Sequence, residues 1–579
     1  MFEKLNKYER LLFDICAVSM VLFYSWAAVI QPAATQYHRG IYVMLTYVLA
    51  FLLYQSKNRW LRLVDYGLII LSVISIGYWI FNFEVINYRA GAETELDMAI
   101  AVIGVLLGVE LARRVVGPVF VIIGAIMLLY GVYGEYVPEL ISHAGDTFPA
   151  LCTSIFYKSD GVFGIMANVL ATYIVLFVIF GAFLEKSGAQ RFFIDFPLAA
   201  VGHRVGGPGK VSVIASGLFG SISGSAIANT VSTGAFTIPM MKKAGFRPHI
   251  AGAIEPAASI GGMFMPPIMG AGGFIMAEMT GVPYSEIMLI AIFPALMYFF
   301  SVYVMVHYEA KKYGLMGERS DTSAKDIFRR EWFYTLPLVV ITVFMLSGYS
   351  PAYSAILGII TCIVISWFRT DTRIGLREAV EASRAGVESS LKIGATVGVI
   401  GIIIGVLTYS GLILTFADII IELADGQLFL TILLIALASL VLGMGVPVTA
   451  AYLITAVVAV PALTHLGVNP IAAHMIVYWL SQDSNITPPV CIAAFAGATI
   501  AKANMWRTAF NAFKFAKFLY LAPFLFGYVP AFSLNGSSQD IVIAFVLIAI
   551  GTFAYAWFLS GIWLPRKDSF KEKTNTRME

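Results

Sequence analysis

The chain has 579 residues, of which 59% are hydrophobic and 13% charged, whereas a soluble protein carries about 25% charged residues. Together with a mean hydropathy of +0.82, this composition excludes a soluble globular protein and predicts an all-α protein that crosses a membrane many times. The net charge of +3 gives no indication of a nucleic-acid partner.

The first apolar run, residues 11–30, resembles a signal peptide that is followed by a possible cleavage site. It is longer than the apolar core of a signal peptide, carries Asp14 and leads directly into further apolar runs. We therefore expect a retained first helix, followed by helices at 40–56, 65–83 and 95–134, the last run being long enough for two. Residues 1–134 should form a region of their own, with 135–161 as an external connecting segment.

The distribution of basic residues predicts the topology. With the N-terminus in the cytoplasm, every Lys and Arg except Arg39, Arg89 and Lys158 lies in a cytoplasmic segment, and the basic tail at 566–577 is also inside. This assignment requires residues 211–241 to enter and leave from the cytoplasm and residues 428–465 to enter and leave from the outside. Two re-entrant hairpins are the simplest interpretation.

The two hairpin regions align without a gap at an offset of 222 residues. The aligned pairs are Pro239 with Pro461, Gly245 with Gly467, Pro248 with Pro470, Ser259 with Ser481, and Pro266-Pro267 with Pro488-Pro489. The loop "MKKAGFRP" of the first copy is basic, whereas its counterpart "THLGVNP" has no Lys or Arg. The sequence thus predicts an inverted repeat, which is typical of secondary transporters that bind substrate where the repeats meet.

Each repeat is predicted to be a helical hairpin followed by an interrupted helix. The interruptions are "SIGGMFMPP" (259–267) and "SQDSNITPP" (481–489), since Pro and Gly interrupt helical hydrogen bonding. They should face the hairpin tips "GSISGSAIANTVSTG" (220–234) and "GMGVPVTAA" (443–451), respectively. The predicted divisions of the chain are 162–310 for the first repeat, 311–332 for a cytoplasmic linker, 333–530 for the second repeat and 531–579 for a last helix and cytoplasmic tail.

The tips and interruptions are the candidate binding site. Clustered hydroxyl and carbonyl oxygens with few carboxylates suit a monovalent cation such as Na⁺, and half-helix N-termini favour an anionic substrate group. Close packing of small residues is the structural alternative. The candidate cation ligands are Ser225, Asn229, Gly262, Thr449 and Thr487. The candidate substrate region comprises Ser223, Ser259, Pro266, Pro447 and Asn485.

Two acids lie within predicted spans, Glu255 before the first interruption and Asp483 inside the second. Either could carry a coupling proton or bind a cation, and a buried structural role remains open. The seven histidines do not cluster, and no convergent set of nucleophile, base or metal ligands supports an enzyme. A channel is a further alternative to a transporter.

The motifs at both hairpins resemble the large membrane subunit of tripartite ATP-independent periplasmic (TRAP) transporters. The segments that carry the resemblance are "FGSISGSAIANTVSTGAFTIPMMKKAGF", "EPAASIGGMFMPPIMGAGGFIMAE" and "VVAVPALTHLGVNPIAAH" with "ITPPV". The likeness is greatest to the branch in which the small and large membrane subunits are fused, with residues 1–134 in the place of the small subunit and residues 162–563 in that of the large one.

The resemblance implies uptake of a small organic acid, often a C4–C5 dicarboxylate, across the bacterial inner membrane by an elevator mechanism. It implies a TAXI-type periplasmic solute-binding protein as partner, Na⁺ as the driving ion, and Ser225, Asn229 and Gly262 with Gly445, Thr449 and Thr487 as cation sites. The second tip reads "GMGVPVT" where many large subunits carry an Asp before the Pro, so H⁺ stays open as the driving ion. A fused scaffold favours a monomeric membrane component. A transporter of the same superfamily that needs no binding protein is the alternative.

Overall fold

The computed structural model describes residues 2–56, 58–317 and 322–562, which form α-helices joined by short turns. Positions 318–321 of the predicted linker and the basic tail at 566–577 lie outside these ranges. By length and composition, seven helical stretches in the described part of the chain could cross a membrane. These are Lys7–Val29, Trp60–Tyr88, Ile165–Lys186, Tyr284–Tyr313, Leu376–Ser410, Val448–His465 and Ser538–Ser560. The predicted all-α polytopic fold is confirmed.

The N-terminal region contains five helices, as expected from its apolar runs. They are α1 (Lys7–Val29), α2 (Thr35–Leu53), α3 (Arg59–Tyr88), α4 (Glu95–Val115) and α5 (Pro118–Val132). Capping boxes start α1 at Asn6 and α4 at Thr94, where a side-chain oxygen accepts a backbone N–H of the first turn. Asp97 pairs with Arg89 at 2.6 Å, which ties the end of α3 to the start of α4.

Further helices lie outside the hairpins and the interrupted helices. They are α6 (Phe148–Tyr157), α7 (Ile165–Val169), α8 (Val175–Lys186), α9 (Ala189–Val201), α15 (Ala324–Glu331), α16 (Leu336–Leu346), α17 (Pro351–Ser366), α18 (Leu376–Gly394), α19 (Val397–Ser410), α20 (Leu412–Leu423) and α27 (Ser538–Ser560). Asp14 of α1 accepts two hydrogen bonds from Arg384 of α18, at 2.6 and 2.7 Å. Helix α4 crosses α19 at Gly108, where a Cβ would stand 2.9 Å from Gly398 Cα. We call α1–α9 and α15–α20 the scaffold region.

The internal repeat is visible in the helix boundaries. The hairpin and interrupted-helix part of the first copy comprises α10 (Gly207–Ser223), α11 (Ala226–Lys243), α12 (Pro248–Gly261), α13 (Gly270–Thr280) and α14 (Tyr284–Tyr313). The corresponding part of the second copy comprises α21 (Leu428–Leu442), α22 (Val448–His465), α23 (Pro470–Ser481), α24 (Ile492–Ala501), α25 (Met505–Phe515) and α26 (Phe518–Tyr528). Helices α11, α12 and α13 begin at 226, 248 and 270, and α22, α23 and α24 begin 222 residues later, at 448, 470 and 492. The predicted hairpins are α10–α11 and α21–α22.

The two copies pack directly against each other. A Cβ on Gly497 of α24 would lie 2.2 Å from the carbonyl oxygen of Gly252 in α12. Phe264, in the first interruption, stacks on Trp479 of α23 with ring centroids 3.9 Å apart. The two interrupted helices therefore form one core, which positions both hairpin tips.

Candidate functional site

The tip of the first hairpin is a two-residue turn. Gly224 adopts φ 62°, a conformation that costs a residue with a Cβ free energy, and Ser225 caps the N-terminus of α11 by accepting the N–H of Ala228 at 3.3 Å. The Gly-Ser pair thus ends one helix and begins the next with no intervening loop.

The first hairpin touches the first interruption at a backbone-to-backbone contact, as the sequence predicts. A Cβ on Gly262 would lie 2.5 Å from Gly220 Cα, and a Cβ on Gly220 would lie 2.6 Å from Nδ2 of Asn229. That amide donates to the carbonyl oxygen of Ser216 at 3.0 Å. Asn229 and Gly262 therefore both contact Gly220, while Ser225 lies half-buried at the end of the hairpin.

Two tyrosines cover the carbonyl oxygens of the first interruption. Tyr284 Oη lies 2.9 Å from the carbonyl oxygen of Pro267 and 2.5 Å from that of Ile268. Tyr478, from the second repeat, places its Oη 2.7 Å from the carbonyl oxygen of Met263 and 2.5 Å from that of Met269. Each hydroxyl donates one hydrogen bond at a time, so the two tyrosines supply two donors to these four carbonyl oxygens, and the Oγ of Ser259 is buried there without a partner among the described residues.

Glu255 of α12 joins both arms of the first hairpin. Its side chain is fully buried and accepts hydrogen bonds from four hydroxyls. Ser212 and Ser216 of α10 donate at 2.5 Å, and Thr233 and Thr237 of α11 complete the set. Four donors surround the carboxyl oxygens, which have no cationic partner among the described residues.

The tip of the second hairpin, residues 443–447, approaches both the second interruption and the scaffold region. A Cβ on Gly443 would lie 2.5 Å from Ser484 Cβ, and one on Gly445 would lie 2.9 Å from Val119 Cβ at the start of α5. Pro447 precedes α22, and the buried Oγ1 of Thr449 has no hydrogen-bond partner among the described residues. This tip faces its interruption as predicted.

The second interruption holds a buried carboxylate. Asp483 is 3% exposed, and its Oδ1 accepts no hydrogen bond from the residues that the structure describes. Asn485 donates weakly to Gln482 Oε1 at 3.4 Å, and Thr487 bonds to the hydroxyl of Tyr520 through Oγ1. This interruption thus retains polar atoms without protein partners.

A cavity of about 300 Å³ separates the first tip from the scaffold region. The hairpin wall includes Ser223 and Ser225, and the opposite wall is formed by α8 and α18, with Glu185 and Lys392 among its residues. Of the predicted substrate region, Ser223 lines this cavity; Ser259, Pro266, Pro447 and Asn485 lie in or beside the tips and interruptions instead. The hydroxyls of the hairpin thus face one acidic and one basic side chain across the cavity.

Several residues that shape the site could not be identified as site residues from the motifs alone. The hydroxyl pairs Ser212 with Ser216 and Thr233 with Thr237 recur at a spacing of four, so each pair faces one side of its helix, and this pattern could have indicated a shared polar partner. Neither the tyrosines over the first interruption nor Lys392 gives such a signal, because each depends on contacts between segments far apart in sequence.

Comparisons with known proteins agree with this architecture. The profile of the family described as "Tripartite ATP-independent periplasmic transporter, DctM component" matches residues 103–532. A putative TRAP transporter large permease of Haemophilus influenzae is 25% identical over 55% of this chain and 74% of its own length. The C4-dicarboxylate TRAP large permease of Pseudomonas aeruginosa is 24% identical over 66% of this chain and 91% of its own.

Two further matches are a large permease named for a different substrate and a transporter of known structure. The 2,3-diketo-L-gulonate TRAP large permease of Escherichia coli is 24% identical over 62% of this chain and 84% of its own length. The solved structure of the YdaH transporter of Alcanivorax borkumensis is 16% identical and covers 75% of this chain and 98% of that one, with a TM-score of 0.46.

Proposed function

The chain belongs to the DctM family of TRAP transporters, and on that premise we propose that it imports a small carboxylate, such as a C4–C5 dicarboxylate, driven by a Na⁺ gradient. TRAP permeases are transporters rather than enzymes, and they work with a periplasmic solute-binding protein and a small membrane subunit. The observation that carries the proposal is the match of the DctM family profile to residues 103–532. The cavity at the first tip supports it with a volume that suits a small molecule and with polar groups, the hairpin hydroxyls, Lys392 of α18 and Glu185 of α8, that could orient a carboxylate and its counter-ion.

The proposed movement is that of an elevator, in which the two repeats slide together against the scaffold region. The cavity lies at the boundary that would slide, between α8 and α18 on one side and the first tip and the start of α13 on the other. Phe274 of α13 stacks on Tyr173 and Phe177 there, with centroids 5.5 and 4.8 Å apart. Sliding of the two parts would have to break these ring contacts, each worth about 0.5–1.5 kcal/mol beyond the buried area.

The proposed partner is a TAXI-type solute-binding protein, and residues 1–134 are proposed to replace the separate small subunit. The N-terminal helices support this role because they are built into the scaffold region through the Asp14–Arg384 pair. Both termini are proposed to be cytoplasmic, in the bacterial inner membrane, with one membrane chain per transporter.

We expect uptake to require the binding protein. Proteoliposomes that contain the full chain, given micromolar radiolabelled succinate or 2-oxoglutarate and an inward Na⁺ gradient, should accumulate label only when the substrate-loaded binding protein is outside. Omitting the binding protein should lower the initial rate at least tenfold. Equal rates without it would instead support the alternative, an organic-anion transporter that takes its substrate directly from solution.

A further inference from the structure

Arg39 is one of the three basic residues that the predicted topology places outside the cytoplasm. It belongs to α2 in the N-terminal region, and its side chain is half-buried. The guanidinium donates from Nε to Oδ1 of Asn168 at 3.1 Å and from Nη1 to the carbonyl oxygen of Phe163 at 2.9 Å. Arg39 therefore holds the segment of chain that contains α7.

Asn168 links Arg39 to the first repeat. Arginine has no acceptor, so the amide oxygen of Asn168 faces the guanidinium and its N–H₂ group points away from it. Nδ2 then donates to Oε1 of Glu278 at 2.7 Å. Glu278 lies near the end of α13 in the first repeat, whereas Asn168 lies in α7 of the scaffold region. The Arg39 network, which we define as Arg39, Asn168 and Glu278, thus crosses the boundary along which the repeats would slide.

The backbone that follows α7 is also unusual. Residues Leu170–Ile174 form a π-helical turn between α7 and α8, a rare conformation that is frequent at functional sites. Oγ1 of Thr172 in this turn lies 3.0 Å from Nε2 of His38 in α2, and Tyr173 stacks on Phe274 of α13. Consecutive residues of α2 therefore hold both α7 and the π turn against the first repeat.

The Arg39 network and the cavity lie at opposite ends of one scaffold stretch. Asn168 is near the start of the spanning stretch Ile165–Lys186, and Glu185, which lines the cavity, is near its end. At 1.5 Å per residue, the two positions are about 25 Å apart. In the proposed topology, the cavity is therefore at the cytoplasmic end of the boundary and the Arg39 network at the external end.

The hydrogen bond between Asn168 and Glu278 exists in one position of the repeats. If α13 moved along α7 and α8, Glu278 would leave Asn168, which stays bound to Arg39 within the scaffold region. A hydrogen bond to a charged group changes an equilibrium constant by roughly tenfold or more. The Arg39 network thus favours the position in which the cavity lies at the cytoplasmic end.

We propose that the Arg39 network is a latch through which the N-terminal region sets the resting position of the repeats, with the cavity at the cytoplasmic end. Residues before 103 lie outside the match to the family profile, so Arg39 gives this region a positioning role besides its place in the scaffold. The inference rests on the proposed function, because it requires that the repeats slide. Asn168 and Glu278 are positioning residues and bind no substrate in this account.

The test measures the distance between the scaffold region and the repeats in the purified full chain. Spin labels are attached at Leu376→Cys in α18 and Arg507→Cys in α25, both exposed, after the four natural cysteines are replaced by alanine. The parent protein should show one main distance. Asn168→Asp brings a second carboxylate against Glu278, and it should raise the population of a second distance at least tenfold relative to the main one.

A double substitution separates release of the latch from damage to the fold. In Asn168→Asp with Glu278→Gln, the new amide can donate to the new carboxylate, which also pairs with Arg39, so the parent distances should return. Tyr24→Phe is the matched control. It removes a hydrogen bond of 2.7 Å to the carbonyl oxygen of His38 within the N-terminal region, so it should lower the unfolding midpoint and leave the distances unchanged.

Unchanged distances in Asn168→Asp would overturn the latch. So would a second distance that the double substitution fails to remove, or one that Tyr24→Phe produces to the same extent. Uptake by the wild type in proteoliposomes tests the proposed function separately. Failure to accumulate substrate under any ion gradient would overturn that function, whereas accumulation together with unchanged distances in Asn168→Asp would overturn the latch alone.

Discussion

Gly262→Ala is expected to abolish uptake, with at least a hundredfold loss in initial rate. The added Cβ would lie 2.5 Å from Gly220 Cα and 2.6 Å from its carbonyl carbon, and neither backbone atom can rotate away as a side chain would. The first hairpin and the first interruption would have to separate. This would disrupt the hairpin wall of the cavity, in which Ser225 lies. Overpacking of this kind costs about 1–3 kcal/mol or more.

The measurement is uptake in proteoliposomes normalised to the amount of folded, monodisperse protein. Gly551→Ala in α27 is the matched control, because nothing lies within 4 Å of its added Cβ, and it should transport as the wild type does. Wild-type uptake by Gly262→Ala would show that the hairpin and the interruption are not in contact as described.

Glu255→Ala is expected to have the second largest effect, on stability rather than on coupling. The substitution removes the common acceptor of four buried hydroxyls and leaves a cavity between α10, α11 and α12. Each buried hydroxyl that is left without a partner costs about 1–3 kcal/mol. The unfolding midpoint in detergent should fall by several degrees, with a lower yield of monodisperse protein.

Glu255→Gln separates the structural role of this acid from a role in proton coupling. Glutamine keeps the shape and one acceptor oxygen, so its midpoint should lie between those of the wild type and Glu255→Ala, with uptake retained. A stable Glu255→Gln protein that binds substrate but no longer responds to an ion gradient would identify Glu255 as a coupling acid and would contradict a purely structural role.

The repeat could be predicted from the sequence because it is marked by residues that alter backbone geometry. Proline and glycine at matching positions, such as Pro248 with Pro470, recur at one offset, and apolar residues between them add no comparable information. The boundaries of α11 and α22 follow from the same markers, since Ser225 and Pro447 each precede the first residue of a helix. Residue types that alter the local backbone were therefore sufficient to predict the repeat and the starts of these two helices.

Long-range contacts could not be predicted in this way. Tyr478 lies in the second repeat and reaches Met263 in the first, a pairing that depends on how the two copies pack. The four hydroxyl partners of Glu255 depend on the crossing of three helices, although their spacing gives a partial signal. The cavity wall at Lys392 depends on the packing of α18 against α8, which no motif in either helix specifies.

The measurement that tests the central claim most directly is accumulation of labelled dicarboxylate in proteoliposomes under an imposed ion gradient, with the loaded binding protein outside. The account predicts that an inward Na⁺ or H⁺ gradient raises the internal concentration of free dicarboxylate above the external one, and that collapsing the gradient releases it. Entry that stops at equal concentrations whatever the gradient would show passive flux, as in a channel, and would contradict secondary active transport.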